Sequence, residues 1–414
     1  MKEQLKIDFN KFIKNLEPSK KDTELREKNL NEFIKHGFPD KRIEDWKFSD
    51  LNQIISSNIK ELKFFREETK PNEFDKSIIV NNFDHNKIIF INGLISKLDF
   101  DYEEKDKIEI INTHETEDLV TKNSLFYLNN AFKCNYVKLT IKENYSLNKP
   151  LIIYNITNKK LQSNAINQRI DFILKKNSNL KLINLFDDNS NNNFINMNYQ
   201  FKIGKDAILK NYKIDNKLNS NIKYFFNNVD LEHNSLAEIF VFSIGSKFIK
   251  NEVNCNLNDQ YSSAFINGII NLKEDQHHEL KTNINHLSKN TKSYQLIKSV
   301  LNDNSKGVYQ GKIFVNSKAQ KTNGYQLSKA LLLNENTEFD AKPELEIYAD
   351  DVKCSHGSAS GSLDENLIFY LMSRGLNYQQ ARDLLINGFL MDIIEKITDQ
   401  EIKDLIKKIM NIKE

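Results

Sequence analysis

A long series of short alternating segments, uninterrupted by any helical pattern, constrains the fold of this chain more than any other feature. Apolar and polar residues alternate, as in half-buried strands, in segments such as Leu236-Ala-Glu-Ile-Phe-Val-Phe. The steps between segments settle at about 13 to 15 residues, and so regular a spacing without crossover helices favours a stacked β-solenoid. A β-sandwich is the alternative, although it rarely needs so many strands at one spacing. The predicted strands begin near Tyr136, Leu151, Arg169, Leu180, Phe194, Ala207, Ile222, Leu236, Asn251, Ala264, Glu279, Tyr294 and Tyr309.

Helical patterns lie on both sides of the predicted strands. Apolar residues recur at three- and four-residue spacing from about residue 3 to 36 and from Leu119 to Phe132, and this spacing returns after Gly361. The fold class is therefore mainly β, with a solenoid flanked by helices. The predicted domains are an N-terminal helical or mixed domain (1–134), a β-helix core (135–360) and a C-terminal helical domain (361–414).

Two short segments before the strands have recognisable roles. Asn92-Gly93 lies within the apolar run from Ile88 to Ile95 and predicts a tight hairpin turn. The only tryptophan, Trp46, lies in the charged segment Arg42-Ile-Glu-Asp-Trp-Lys47. We interpret this segment as an anchor that fixes the N-terminal domain to its neighbour.

Charge and cysteine content exclude several classes of function. The chain has 59 basic and 57 acidic residues, and this balance predicts neither a nucleic-acid partner nor a membrane surface as partner. Its three cysteines are too few and too widely separated for a disulfide framework, which favours a reducing compartment. We find neither a signal peptide nor an apolar run long enough to span a membrane. The expected location is the cytoplasm.

A glycine-rich segment, Gly307-Val-Tyr-Gln-Gly311-Lys312, invites comparison with a phosphate-binding loop. The spacing is one residue short, and Ile313 stands where a serine or threonine would bind magnesium. We expect a strand with a close backbone approach at Gly311 instead, and we expect that this chain binds no nucleotide. It is also predicted not to be an enzyme.

The strongest candidate site is a cysteine and a histidine two residues apart, Cys354 and His356, just after the acid pair Asp350-Asp351. If the strand entering through Leu345 continues, Asp350, Cys354 and His356 share one face, because alternate side chains of a strand point the same way. The Cα atoms of Cys354 and His356 would be roughly 6.6–6.8 Å apart, so that a thiolate and an imidazole could reach one metal ion or cluster.

Two ligands do not complete such a site, because zinc and iron–sulfur centres normally have four. Either the missing ligands come from another chain, or the site has no ligand role. In the second case, Cys354 is a buried strand cysteine and His356 begins a turn before Gly357. Residue types alone leave both interpretations open.

The residues around this site resemble a known family. The run from Lys342 to Gly357, Lys-Pro-Glu-Leu-Glu-Ile-Tyr-Ala-Asp-Asp-Val-Lys-Cys-Ser-His-Gly, closely resembles the signature of the SufB/SufD family of iron–sulfur cluster assembly scaffolds. The resemblance extends through Gly307–Val315 and Phe369–Gly375, and a second patch covers Arg42–Lys47. The chain is shorter than SufB-type chains and lacks their cysteine motifs, so it is more similar to the SufD branch. It departs from the family at 358–360, where Ser-Ala-Ser replaces a more apolar run beside His356.

The resemblance implies a right-handed parallel β-helix that pairs with SufB, and a C-terminal helical region that binds the SufC ATPase. It also implies that His356 lies at the SufB interface, where a nascent iron–sulfur cluster, or iron, is shared between the chains. Cys354 is a second candidate ligand, and Asp350 or Asp351 is expected to orient the other ring nitrogen of His356. A homodimer of the isolated chain is compatible with this arrangement.

Two other functions remain as alternatives. A β-helix can also bind or cleave polysaccharide, using carboxylates and aromatic residues along one face. The chain could also be a purely structural partner within the same assembly machinery, with no ligand role for His356.

Overall fold

The computed structural model describes residues 2–66, 75–115 and 123–412. Seven helices and nineteen strands lie in these ranges. In chain order they are α1 (Lys2–Leu16), α2 (Lys20–His36), α3 (Leu51–Asn58), β1 (Asn86–Ile91), β2 (Leu94–Asp99), β3 (Ile108–Thr113), α4 (Ser124–Phe132), β4 (Tyr136–Ile141), β5 (Leu151–Thr157), β6 (Ala165–Leu174), β7 (Asn179–Asp188), β8 (Phe194–Ile203), β9 (Ile208–Asp215), β10 (Ile222–Leu231), β11 (Leu236–Ser243), β12 (Phe248–Leu257), β13 (Ser263–Leu272), β14 (His277–His286), β15 (Lys292–Leu301), β16 (Lys306–Val315), β17 (Thr322–Leu332), β18 (Glu338–Ile347), β19 (Val352–Gly361), α5 (Glu365–Ser373), α6 (Tyr378–Ile394) and α7 (Gln400–Ile409).

Two long sheets face each other and form a β-solenoid of about eight turns, which confirms the predicted fold class. From β4 onward, successive strands alternate between the sheets, and each strand pairs in parallel with the strand two places along the chain. Cys255, for example, lies between Val229 and Ile284 of the neighbouring turns. Each turn contains two strands, which explains why the sequence spacing is half of the structural repeat.

Apolar side chains from both sheets fill the interior. One continuous cluster extends from Ile88 near one end to Tyr309 near the other. Aromatic rings stack along it, as Phe172 does on Phe201 with ring centroids 4.8 Å apart. Because each residue packs on its counterpart in the next turn, the core forms columns that run along the solenoid.

The N-terminal helices cover the outer face of the nine-stranded sheet. Trp46 is buried there between the ring of Tyr224, at 5.6 Å, and the ammonium group of Lys250, at 4.5 Å. This position agrees with the interpretation of its segment as an anchor. Helix α4 begins at Ser124, and Leu119, where the helical pattern begins, lies outside the described residues.

Three strands from the segment 1–134 belong to the solenoid sheets. β1 pairs in parallel with β5, and β3 pairs antiparallel with β4. β1 also forms the expected hairpin with β2, in which Asn92 and Gly93 have φ values of 51° and 79°. Positive φ at both positions is characteristic of the type I′ turn that Asn-Gly favours.

Helices α6 and α7 lie along the outer face of the ten-stranded sheet. Leu390 and Ile406 pack there with Tyr212 and Phe240. The helices therefore cover one flank of the solenoid, and the end formed by β18 and β19 has no strand beyond it among the described residues. Over the same part of the chain, no helix has both the length and the apolar character needed to cross a membrane.

Candidate metal site at the open end of the solenoid

The segment that holds the candidate site is divided between two strands. β18 ends at Ile347 and β19 begins at Val352, so the expectation of one strand running on through Asp350 is wrong. Residues 348–351 instead form a corner that carries the chain from one sheet to the other. The corner is fixed by the preceding turn of the solenoid, because Lys321 donates its backbone N–H to the Asp351 carbonyl at 2.6 Å.

Cys354 and His356 both lie on β19 and share one face of that strand. Their partners in register on β17 are Gly324 and Gln326, which are buried residues of the solenoid interior. The cysteine and the histidine therefore face the interior rather than the outer surface of the sheet. Cys354 is half-buried and His356 is exposed, because β19 is the last strand of its sheet.

Gly324 lies next to Cys354 on the preceding turn of the solenoid. A side-chain carbon placed on Gly324 would lie 3.3 Å from the Cys354 sulfur and 3.5 Å from Nε2 of the buried His286. Burial raises the pKa of the Cys354 thiol, so the group carries its proton at neutral pH. Since the thiolate is the metal-binding form, ligation by Cys354 requires loss of that proton.

The structure does not bring Asp350 and Asp351 to the ring of His356. Both lie in the corner before β19, and five residues at about 3.3 Å each separate Asp351 from His356 by roughly 16 Å along the strand. The backbone N–H of Asp351 donates to the side chain of Gln320 at 2.9 Å, which ties this residue to the corner of the previous turn. A role for either carboxylate in orienting His356 stays a prediction.

A buried glutamine that sequence reasoning missed lies behind the histidine. Gln326 is 2% exposed, and its side-chain oxygen is 3.4 Å from the Tyr309 hydroxyl. The expected close approach at Gly311 is present, although two side chains make it rather than backbone. A side-chain carbon on Gly311 would overlap with the Gln326 oxygen and the Tyr309 hydroxyl. The 30-residue separation of Gln326 and His356, close to one turn of the solenoid, is the signal that could have identified this neighbour.

The ligand set of the described residues is incomplete. They contain no group of three or more His, Cys, Asp or Glu side chains that could hold a metal ion. Cys354 and His356 would therefore need ligands from outside the part of the chain that the structure describes. The apolar residues at this end, Tyr325, Ile347 and Tyr348, are 36%, 38% and 61% exposed. Large apolar side chains exposed to water near a sheet edge are typical of a surface that a protein partner covers.

A second exposed apolar surface follows directly after β19. Ile368 is the buried residue of helix α5, whereas Phe369 is 74% exposed and Tyr370 is 52% exposed. Leu367 and Met372 on the same helix are also exposed. A short helix with most of its large apolar side chains in water is typical of a protein docking site.

Comparison with known proteins connects both features to one family. The family model described as "SUF system FeS cluster assembly, SufBD core domain" matches residues 155–389. The iron–sulfur cluster assembly protein SufD of Escherichia coli is 26% identical over 291 residues, which cover 69% of this chain and 68% of that protein. SufD of Bacillus subtilis is 28% identical over 129 residues, 31% of this chain and 30% of that protein.

A shorter but closer match is to the chloroplastic protein ABCI7 of Arabidopsis thaliana. It is 46% identical over 74 residues, which cover 18% of this chain and 16% of that protein. The family model includes the strands that hold Gln326, Cys354 and His356. Since it matches more than half of the chain, this protein belongs to the SufB/SufD family and has a role in iron–sulfur cluster assembly.

Proposed function

We propose that this chain is a non-enzymatic scaffold subunit of the Suf machinery that pairs with SufB through β18 and β19. In this proposal, His356 supplies one ligand to a nascent cluster at the interface, and Cys354 is a second candidate. One observation carries the proposal. Cys354 and His356 face the interior from the last strand of the solenoid, where the residues that the structure describes leave the sheet edge unpaired and the ligand set incomplete.

We call the end of the solenoid formed by β18 and β19 the open end. A site at this end suits the assembly of a cluster that is later released from the complex. Iron or the cluster is cargo here, held between two chains rather than enclosed in one. A partner seated on Ile347 and Tyr348 would exclude water from the ligands, and its own thiolates would complete the coordination. A neutral imidazole binds iron through a ring lone pair, so loading through His356 should weaken in acid, where the ring is protonated.

The same proposal assigns the α5 surface to the SufC ATPase. Phe369 and Tyr370 would anchor SufC, because large exposed aromatic side chains supply most of the binding energy of such contacts. Helix α5 follows β19 after three residues, 362–364. Movement of SufC during its ATP cycle would therefore act directly on the strand that holds His356, and open or strain the interface with SufB.

The ligand role is tested by co-expression with SufB and SufC and purification without oxygen. We expect wild-type complex to contain iron and sulfide, and the His356→Ala complex to assemble but lose them. His233→Ala, which removes a partly exposed histidine between β10 and β11, is the matched control and should keep the cluster. Equal iron and sulfide in His356→Ala and wild type would reduce this chain to a purely structural partner.

The SufC contact has its own test. Phe369→Glu should abolish co-purification of SufC with this chain, because a carboxylate in an apolar contact must be desolvated without compensation. Leu218→Glu is the control, since Leu218 is 47% exposed and lies between β9 and β10. Retention of SufC by Phe369→Glu would move the docking site away from α5.

The family assignment gives cluster assembly preference over the polysaccharide alternative. The matched family model is described by iron–sulfur cluster assembly, and it covers the β-helix that the alternative would need for its binding face.

A further inference from the structure

Gln326 is the side chain directly behind His356 in the solenoid interior. The two residues are paired in register on the parallel strands β17 and β19. Paired residues on adjacent strands are about 4.8 Å apart and point to the same face. Gln326 is buried and His356 is exposed, so the glutamine separates the ring from the core.

Both ends of the Gln326 amide are held by the opposite sheet. The amide nitrogen donates to the backbone carbonyl of Glu344 at 3.4 Å, and the amide oxygen accepts from the Tyr309 hydroxyl at 3.4 Å. The same hydroxyl lies 3.3 Å from Thr282 Oγ1 and 3.2 Å from the Gln295 amide oxygen. Gln326 therefore spans the interior and is fixed by a buried polar network.

Gly311 provides the space for this network. Any side chain at that position would overlap with the Gln326 oxygen and the Tyr309 hydroxyl. The segment Gly307-Val-Tyr-Gln-Gly311 thus contributes the tyrosine that holds Gln326 and the glycine that makes room for it. This packing explains Gly311, which does not belong to a phosphate loop.

The hydrogen-bonding capacity of Gln326 leaves one acceptor position free. The amide oxygen of Gln326 has two lone pairs and can accept two hydrogen bonds. The Tyr309 hydroxyl can donate at most one of them, because it has a single hydrogen and also lies within reach of the Gln295 amide oxygen. The amide nitrogen of Gln326 donates one of its two hydrogens to the carbonyl of Glu344. A histidine that binds a metal through one ring nitrogen needs an acceptor for the N–H of the other, and this acceptor fixes the tautomer.

We propose that Gln326 is the positioning residue for His356 and accepts the N–H of the ring nitrogen that faces away from the cluster. This inference rests on the proposed ligand role of His356 for its biological meaning. It assigns to Gln326 the orienting role that the sequence suggested for Asp350 or Asp351. Tyr309 and Gly311 act through Gln326 and hold its amide in place.

The test is the tautomer of His356 in the full isolated chain, measured from nitrogen-15 chemical shifts of labelled histidine at a pH where the ring is neutral. The His356→Ala spectrum identifies the signals. We expect one dominant tautomer in wild type, and a change of about fivefold in the tautomer ratio in Gln326→Leu, the effect of losing one ordinary hydrogen bond. An unchanged ratio in Gln326→Leu would overturn the proposal.

Three further variants exclude a merely structural effect. Gln168→Leu removes an equally buried glutamine from β6, distant along the solenoid, and should leave the tautomer ratio of His356 unchanged. Gln326→Glu keeps an acceptor oxygen and should preserve the dominant tautomer. Tyr309→Phe releases Gln326 without changing it and should give a shift in the same direction, which keeps the proposal testable if Gln326→Leu does not fold. A shift of equal size in Gln168→Leu would contradict it.

Cluster content then separates this inference from the proposed function. In the complex with SufB and SufC, Gln326→Leu should lower iron and sulfide severalfold, and Gln326→Glu should restore them. Cluster retained in His356→Ala refutes the ligand role, whatever the tautomer result. Cluster lost in His356→Ala together with an unchanged tautomer in Gln326→Leu refutes the positioning role alone.

Discussion

Two histidines show how burial in the solenoid interior determines the charge state of a side chain. His278 and His286 are fully buried, and burial lowers the pKa of each to about 3. His278 Nε2 donates to the Ser246 carbonyl at 3.1 Å, so Nδ1 accepts from the Ser243 hydroxyl at 2.9 Å. His286 is held between the hydroxyls of Thr291 and Ser293. Both rings are neutral hydrogen-bonding groups of the core.

We expect these rings to make the protein sensitive to acid. An unfolded histidine has a pKa of 6.5, so below that value the unfolded chain binds a proton that folded His278 excludes. The stabilisation is complete above pH 6.5 and declines as the pH falls from there toward 3, by about 1.4 kcal/mol per pH unit for each ring. His278→Gln should reduce the slope of unfolding free energy against pH by that amount. Urea denaturation at several pH values measures it.

Gln168→Leu is the control, because Gln168 is buried but has no ionisable group, so this variant should leave the slope unchanged. Parallel curves for wild type and His278→Gln would contradict the prediction.

Lys223 is a second interior residue with a clear expected effect. Its ammonium group is fully buried and forms ion pairs with Asp188 and Asp215. Lys223→Ala leaves two buried carboxylates without their cation, and we expect a loss of about 3–5 kcal/mol in the free energy of unfolding. Lys247→Ala breaks an exposed ion pair with Asp275 and should cost less than about 1 kcal/mol. Equal losses in the two variants, measured by urea denaturation, would show that burial has no role.

At the scale of elements, two glycines with positive φ allow the energetic cost of backbone strain to be distinguished from the cost of steric overlap. Gly93 and Gly37 both have positive φ, 79° and 72°. A side-chain carbon on Gly93 would lie 2.6 Å from Ile166 Cγ2, whereas Gly37 has no atom within 4 Å. Gly37→Ala should cost about 1–2 kcal/mol from strain alone. Gly93→Ala should cost roughly 2–4 kcal/mol, because overpacking adds to the strain. Thermal and urea unfolding of both variants measure this difference, and equal costs would contradict it.

The elements also show which parts of the fold follow from sequence. Strands β8, β10 and β11 begin at Phe194, Ile222 and Leu236, where alternation predicted them. β12 begins at Phe248 rather than Asn251, and the polar residue within the missed start, Lys250, is buried against Trp46 of the N-terminal domain. Alternation of apolar and polar residues indicates which face of a strand lies in the core. It does not indicate which polar residues another domain covers.

The site was less predictable than the strands. Cys354 and His356 are neighbours on one strand, so their common face follows from spacing of two residues alone. The corner at 348–351 interrupts an apolar run without any glycine or proline to mark it. Gln326 becomes a neighbour of His356 through the register between turns, which depends on corner lengths that no local pattern specifies.

At the scale of the whole molecule, the terminal regions brace the flanks of the solenoid. Glu44, beside Trp46, forms an ion pair with Lys342 on β18, and Lys298 on β15 forms one with Asp392 on α6. The N-terminal domain thus contacts the last turn of the nine-stranded sheet, and α6 covers the other sheet. Both flanks are covered, whereas β18 and β19 each have one edge without a neighbouring strand in the part of the chain that the structure describes.

This arrangement predicts that the isolated chain forms a homodimer through its open end. Edge strands present unpaired backbone groups, and Ile347 and Tyr348 add exposed apolar area beside them. A double variant, Ile347→Lys with Tyr348→Lys, places charge at this end and should shift the chain from dimer to monomer in sedimentation velocity. Ile7→Lys, at an exposed position on α1, should remain dimeric.

SufB should compete with this homodimer, because a second copy and SufB would use the same strand edges. Addition of SufB to labelled wild-type chain should replace the homodimer by a heterodimer, and the double lysine variant should form neither. If the double variant stays dimeric yet loses SufB, the homodimer uses another surface and the open end serves SufB alone. If it keeps SufB, then β18 and β19 are not the pairing surface, and the incomplete ligands Cys354 and His356 must be completed from a different direction.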